Sequence, residues 1–346
     1  MAFNPNEHQH LRYNPLKDEW ILVSPHRALR PWSGQTETLA TEQVPRFDPS
    51  NPLCPGVKRA SGIVTPNYTT TYVFTNDFPA LLEEGPEPDQ TEDPLFQTRS
   101  AKGTCKVMCY HPHSDMYLHN LSTIEVVAII NEWVKQVEEL GQKYLWVQIF
   151  ENRGQQMGCS NPHPHCQIWS STFLPNEAKV KDHNLKAYFE KHGRPLLLDY
   201  LEKELSKRER LVTENDDWVV VVPYWAVWPF ETMVLPKRQI QRFTDLAECQ
   251  RKSLASILQV LVAKYDNLFK CNFPYSMGWH GAPTGEKRNE THPHWTFHGI
   301  YLPPLLRSAT VKKFMVGYEL LAQGQRDLTP EKAASMLREQ YDTRFK

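Results

Sequence analysis

The chain has 346 residues, 39 basic against 40 acidic, with 7 cysteines, 10 tryptophans and 27 prolines. This length suits about two units of ordinary domain size, and nothing in the balanced charge suggests a nucleic-acid groove or an anionic membrane surface, both of which need a clustered excess of Lys and Arg. A small-molecule partner is expected, and the odd, scattered cysteines, the polar start and the lack of any long apolar run predict a cytoplasmic protein with reduced thiols.

Residues 1–16 are polar, and the His8-x-His10 pair there sits in no strand pattern, so it reads as part of a solvated arm. Glu19 to Trp32 reads as a strand running into a basic loop with Arg27 and Arg30. Residues 33–70, rich in Pro, Thr, Gly and Asn, read as a long excursion without a core of its own. Thr71 to Phe74 reads as a strand leading to an Asn76-Asp77 turn, residues 79–100 as an acidic surface loop, and Cys105 to Tyr110 as another strand. Ser122 with Glu125 three residues on predicts a capped helix that runs to Gly141, with an apolar stripe of Ile124, Val127, Ile130, Val134 and Val137.

Trp146 to Asn152 alternates as a strand and should pair with the stretch that follows the turn Gly158-Cys159-Ser160-Asn161-Pro162. In that stretch His163, His165, Gln167 and Trp169 share one strand face, and Pro164, Cys166 and Ile168 the other. Pro164 cannot donate to a ladder, which predicts an edge or rim strand. An imidazole there can attack phosphorus or bind a metal, and Gln167 can donate to an oxygen on the reacting centre. Asn152 and the Gly158-Cys159-Ser160 turn fall beside His165, and the closely approaching amides of such a turn suit a phosphate.

Residues 177–208 read as one long helix rich in Lys and Glu. A second pass follows: strands at Trp218 to Pro223 and Thr232 to Leu235, a helix over 245–268 capped by Thr244, then paired strands at Tyr275 to His280 and His294 to Tyr301. His292-Pro293-His294 echoes His163-Pro164-His165, with Thr296 in the place of Gln167 and no phosphate-cradling turn before it, so this unit is expected to be catalytically silent. The repetition predicts an α+β fold of two tandem units, residues 1–195 and 196–346. Thr329-Pro330-Glu331 starts a last helix.

The run Ser160 to Trp169, with Arg27 to Trp32, Asn76-Asp77-Phe78, Trp279 to Pro283 and Pro303 to Glu319, resembles the galactose-1-phosphate uridylyltransferase family of the histidine-triad superfamily, over nearly the whole chain. The resemblance implies two histidine-triad-like units with a largely antiparallel sheet and packed helices. It implies transfer of UMP from UDP-glucose to galactose 1-phosphate, giving glucose 1-phosphate and UDP-galactose, through a uridyl group carried by His165, with Gln167, His163 and Ser160 assisting. It places Arg27 and Arg30 near phosphates, where the residue pattern also sets Asn152, Gly158, Cys159 and Ser160, and it places Leu53, Phe74, Asn76 and Asp77 around uracil and ribose. Lys313, Phe314, Val316, Tyr318, Glu319 and Gln325 are implied to meet the hexose and its phosphate, reaching across a homodimer with shared sites.

Two metal sites of the family are altered. Asn51, Cys54, Ser114 and His163 stand at the positions of a structural zinc, and Lys181, His280, His298 and Ile300 at those of a second metal. With four ligands needed for a closed zinc site, no cofactor is expected to be required, and a zinc or iron ion on the remnant pair His280 and His298 is expected to be weak at most. Within the superfamily the rival function is a dinucleotide hydrolase or phosphorylase, which commonly carries histidine where this chain has Gln167. A binding module without catalysis is the rival of another class.

Overall fold

One nine-stranded sheet organises the chain in the computed structural model, which describes residues 2–29 and 44–345. After an antiparallel hairpin of β1 (His10–Asn14) and β2 (Glu19–Val23), the first half of the sheet is built from β3 (Tyr72–Thr75), β4 (Gly103–Cys109), β5 (Trp146–Arg153) and β6 (His165–Ser171), with helix α1 (Thr123–Leu140) between β4 and β5. Helices α2 (Asn176–His192) and α3 (Leu196–Lys207) follow. The second half comprises β7 (Leu211–Glu214), β8 (Trp218–Val221), β9 (Thr232–Pro236), β10 (Tyr275–His280) and β11 (His298–Leu302), with α4 (Glu248–Phe269) between β9 and β10. A small hairpin β12 (Leu305–Ser308) and β13 (Val311–Lys312), a short α5 (Tyr318–Leu321), β14 (Gln325–Arg326) and α6 (Pro330–Arg338) complete the chain.

The strand order is β3-β4-β6-β5-β10-β11-β9-β8-β7, every neighbour antiparallel. In each half the strand after the helix lies innermost, and the last strand inserts between it and the strand before the helix. The halves meet where Phe150 on β5 faces Gly278 on β10. On its other side Phe150 faces Gln167, and Gly278 faces Ile300. An approximate two-fold through that seam therefore relates Gln167 to Ile300, His165 to His298 and His163 to Thr296. This corrects the reading that set Thr296 against Gln167 and His294 against His165. The repeated His-Pro-His spelling is local, whereas the ladder register fixes which residue occupies an equivalent place.

Several elements are explained by their end signals, and others depart from the pattern. Ser122 accepts from the Glu125 amide (3.3 Å) while the Glu125 carboxylate accepts from the Ser122 amide (2.7 Å), a complete capping box. The buried stripe of α1 runs through Val126, Ile129, Ile130, Trp133, Val134 and Val137, while Ile124 is 82% exposed. At about 100° per residue, positions 124 and 126 lie on nearly opposite sides of the helix, so only one can face the sheet. The expected 177–208 helix is two helices, because Gly193 turns left-handed (φ 67°) and Pro195 offers no N–H to continue. Thr244 lies in a separate 3-10 turn and does not cap α4, whose first amides are met instead through Gln250, which accepts from the Ala247 amide at 2.9 Å.

Both α1 and α4 cover one face of the sheet along its length, burying Met108, Ile149, Cys166, Ile168, Val220, Val234 and Met277 against Ile130, Trp133, Leu258 and Val262. Each large apolar side chain so buried contributes about 1.5–3 kcal/mol. The opposite face is treated unequally. Under the second half it is roofed by α2, α3 and the β2 residues Ile21 and Val23, which pack on Val221, Met233 and Trp295. Under the first half the described residues form a small cluster of Leu53, Val107 and Cys109 with Tyr68, Tyr72 and Phe74, and no described helix roofs it. None of the described helices is long and apolar enough to cross a membrane.

Candidate active site

The open half of that face carries His165. Strand β6 starts at this residue and lies between β4 and β5, so it is an interior strand and the edge-strand expectation is corrected. Pro164 is tolerated because it precedes the strand, and its carbonyl accepts from the Tyr110 amide at 3.0 Å. The His165 Nδ1–H donates to the His163 carbonyl at 2.7 Å, which leaves the Nε2 lone pair free. Burial lowers the pKa of His165, partly opposed by that carbonyl bond, so the ring is held neutral and nucleophilic near pH 7.

Two residues on, Gln167 accepts from the Trp169 indole N–H at 2.9 Å. An indole nitrogen can only donate, so the oxygen of Gln167 is the atom turned to Trp169 and its amide N–H pair is presented away from it. The ladder aligns Phe74, Val107, Gln167 and Phe150 in one row across β3, β4, β6 and β5, which puts Phe74 and Gln167 on the same face. Asn152, two residues past Phe150, falls opposite His165, and its oxygen accepts from Ser276 at 2.7 Å. In the turn before β6, Gly158 is left-handed (φ 77°). Its amide donates to Gln155 and the Cys159 amide to Gly154, at 3.0 and 3.3 Å. Two of the amides expected to cradle phosphate are thus engaged within the turn, and Ser160 is exposed.

On the neighbouring side Tyr68, Tyr72 and Phe74 stack in succession, at 5.1 and 5.5 Å between centroids. Arg59, which sequence reasoning did not single out, lies 4.0 Å from the Phe74 ring centre and pairs with Asp77 at 3.2 Å. Leu53 is buried beside them, and Asn76 holds its own turn by accepting from the Phe78 amide at 3.0 Å.

Asn51, Cys54, Ser114 and His163 do converge, as a hydrogen-bonded cluster. The Ser114 hydroxyl lies 2.8 Å from His163 Nδ1 and 3.3 Å from the Cys54 sulfur, while Tyr68 Oη lies 2.9 Å from His163 Nε2. Asn51 and Asn161 exchange amide bonds at 2.9 and 2.8 Å. Burial lowers the pKa of His163 to about 4, so its ring carries one proton. With the Tyr68 hydroxyl donating to the Leu53 carbonyl at 2.7 Å, that proton sits on Nε2 and Nδ1 accepts from Ser114. Both ring nitrogens are spent, and an amide and a hydroxyl replace two ligands, so a zinc ion does not fit. The cluster instead anchors the residue whose carbonyl orients His165.

The second half repeats the imidazole geometry without the opening. His298 Nδ1 donates to the Thr296 carbonyl at 2.8 Å, and its ring stacks on His280 at 5.2 Å. Lys181 from α2 is buried and reaches to 3.3 Å from His280 Nδ1. Burial lowers its pKa to about 8 and that of His298 to about 3. An ammonium at this point sets a positive charge beside His280 and offers no lone pair to an ion.

The C-terminal segment forms a separate group. Lys313 pairs with Glu319 at 2.7 Å, and Phe314, Val316 and Tyr318 are 38%, 52% and 52% exposed. Buried Gln325 bonds to Asp327, which also pairs with Arg27 at 3.2 Å. Among the described residues no hydrogen bond or ion pair joins Lys313 to Gln325 with His165 or Gln167. Arg30 lies outside the described residues.

Residues 1–175 match the family model of the galactose-1-phosphate uridyl transferase N-terminal domain, and residues 181–346 that of its C-terminal domain. A probable galactose-1-phosphate uridylyltransferase of Drosophila melanogaster is 58% identical over 340 residues, 98% of this chain and 97% of the relative. The galactose-1-phosphate uridylyltransferases of Rattus norvegicus and Haemophilus influenzae are 57% and 53% identical, covering 97% and 99% of this chain and 89% and 98% of their own. A solved uridylyltransferase superposes with a TM-score of 0.75 at 25% identity, over 96% of this chain and 97% of that one. An Arabidopsis thaliana ADP-glucose phosphorylase with bound ADP-glucose shares the fold, with a TM-score of 0.75 at 22% identity, over 96% and 100% of the two chains.

Proposed function

This chain belongs to the galactose-1-phosphate uridylyltransferase family and is a nucleotidyltransferase, and from that premise we propose that it moves UMP from UDP-glucose to galactose 1-phosphate through a uridylyl-imidazole on His165. His165 Nε2 attacks the α-phosphorus, forming an N–P bond as the bond to glucose 1-phosphate breaks. The ring becomes cationic with its proton still on Nδ1, which goes on donating its hydrogen bond to the His163 carbonyl at 2.7 Å. Gln167 donates to the phosphoryl oxygens with the amide that Trp169 has turned outward. Galactose 1-phosphate then attacks the same phosphorus, and His165 leaves as neutral imidazole. Both leaving groups are phosphates of low proton affinity, so no strong general acid is needed. The free Nε2 on the open face is the observation that carries this reading.

A cytoplasmic setting, supported by seven free cysteines, and catalysis independent of any bound metal are parts of the same proposal. Isotope exchange between labelled glucose 1-phosphate and UDP-glucose in the absence of galactose 1-phosphate tests the two-step course. The exchange is expected, its absence contradicts the covalent step, and release of UMP to water or inorganic phosphate at a matching rate favours a hydrolase or phosphorylase.

We also propose the homodimer, in which Lys313 to Gln325 of one subunit completes the site of the other. The exposed Phe314, Val316 and Tyr318 support it. Mixing an inactive His165→Gly protein with an inactive Gln325→Ala protein, under subunit exchange, should restore activity, because one site then carries both defects and the other neither. Exchange without recovery contradicts sharing.

A further inference from the structure

We propose that His292, His294 and Asp182 form a divalent-metal site of the borderline class that takes zinc, cobalt or nickel. It is separate from the His280–His298–Lys181 cluster and from the uridylyl chemistry. Among the described residues these three side chains bring one ligand atom each to within 4.8 Å of one another. Two imidazoles and one carboxylate are a donor set suited to such ions, with solvent completing the coordination. Metal–ligand bonds of about 2.0–2.1 Å set tetrahedral ligand atoms roughly 3.3 Å apart, so the three atoms, now within 4.8 Å of one another, draw closer when an ion enters.

The ligands are held from outside. His292 donates its amide to Gln241 Oε1 at 3.0 Å and sets its Nε2 3.2 Å from the Lys287 carbonyl, which orients the ring. The Pro293 carbonyl accepts from Gln239 at 3.2 Å, and the Trp295 amide donates back to the His292 carbonyl at 2.9 Å. On the helix side, the Trp295 indole N–H donates to Asp182 Oδ1 at 2.6 Å and fixes the carboxylate. Such outer partners hold ligands in place and raise their affinity. His292 and His294 are 5% and 8% exposed, while the Asp182 side chain, at 26%, leaves an approach for the ion. An entering ion replaces the proton between His294 Nε2 and Asp182 Oδ1, now 2.8 Å apart, and that proton passes to solvent.

The ion would tie the 292–295 loop to α2 and so fasten the roof of the second half. Strands β5 and β10 separate this region from β6, so the site serves stability and leaves the chemistry alone.

The test is titration of the full chain with Co²⁺, read by visible absorption, calorimetry and thermal melting. The wild type should take up one equivalent and melt higher. Asp182→Asn, which keeps an acceptor for Trp295, and His292→Ala should each weaken binding by more than the roughly 10–100-fold that loss of an outer partner costs, and should lose the melting shift while uridylyl transfer is unchanged. Uptake that is unaltered in both variants, or no uptake by the wild type at millimolar Co²⁺, overturns the proposal.

Discussion

His165 and His298 each donate Nδ1–H to the carbonyl two residues earlier, at 2.7 and 2.8 Å, and each stands one strand from the seam between β5 and β10. What differs is the cover. Over His298 lies α2, with Lys181 pressed against His280, and the ring is wholly buried. Over His165 no helix is laid among the described residues, its Nε2 is open, and Gln167 stands where the other half has Ile300. A strand can therefore orient an imidazole by backbone alone, but reactivity requires an open nitrogen and a donor for the developing charge.

The sharpest way to break this comparison is to remove each histidine in turn. His165→Gly should lower turnover by about 10⁴-fold or more with the melting temperature nearly unchanged. His298→Ala should leave the chemical step intact and lower stability. Equal losses of turnover in the two variants would contradict the division of roles. Next, Gln167→Ile gives the open half the residue of the sealed half and should lower kcat about 10²–10³-fold with little change in folding, as single-turnover kinetics can show.

The third test addresses the cover. The folded pKa of Lys181 is about 8 against 10.5 for a free lysine, so the unfolded chain binds more protons between those values and stability rises with pH across the window. At neutral pH the buried ammonium thus costs roughly 3 kcal/mol. Lys181→Met should be the more stable protein at pH 7, and the gap should close from pH 8 to 10.5 in chemical denaturation; a constant gap would contradict the burial of a charge. His163 acts with the same sign at lower pH. Its folded pKa of about 4 lies below the ordinary 6.5, so stability present above pH 6.5 is lost as pH falls toward 4. The smallest effect is expected from Tyr68→Phe, which removes the bridge between Leu53 and His163 and should cost about 1–2 kcal/mol in unfolding free energy.

These contrasts also show what a sequence can and cannot carry. The capping box of Ser122 and the shared face of His165, Gln167 and Trp169 depend on neighbours within a few residues, and the β5–β6 pairing joins two strands consecutive in the chain, so each was legible. The true partner of His165 was not, because the His-Pro-His echo lies four residues ahead of the place that the ladder assigns to His298. Nor did local pattern reveal that Arg59 and Tyr68, from a long excursion, support Phe74 and His163, or that Lys181 closes on a histidine 99 positions away. Those contacts join segments that only the folded sheet brings together. Pro164 misled for a related reason: its missing donor mattered to the predicted edge only if it lay inside the strand, and the strand begins one residue later.

Intact-protein mass measurement after brief incubation with UDP-glucose alone tests the central claim most directly. The wild type should gain the mass of one uridylyl group per chain and lose it when galactose 1-phosphate is added, the His298→Ala protein should do the same, and His165→Gly should gain nothing. A uridylyl adduct on the His165→Gly protein, or none on the wild type, would contradict the account.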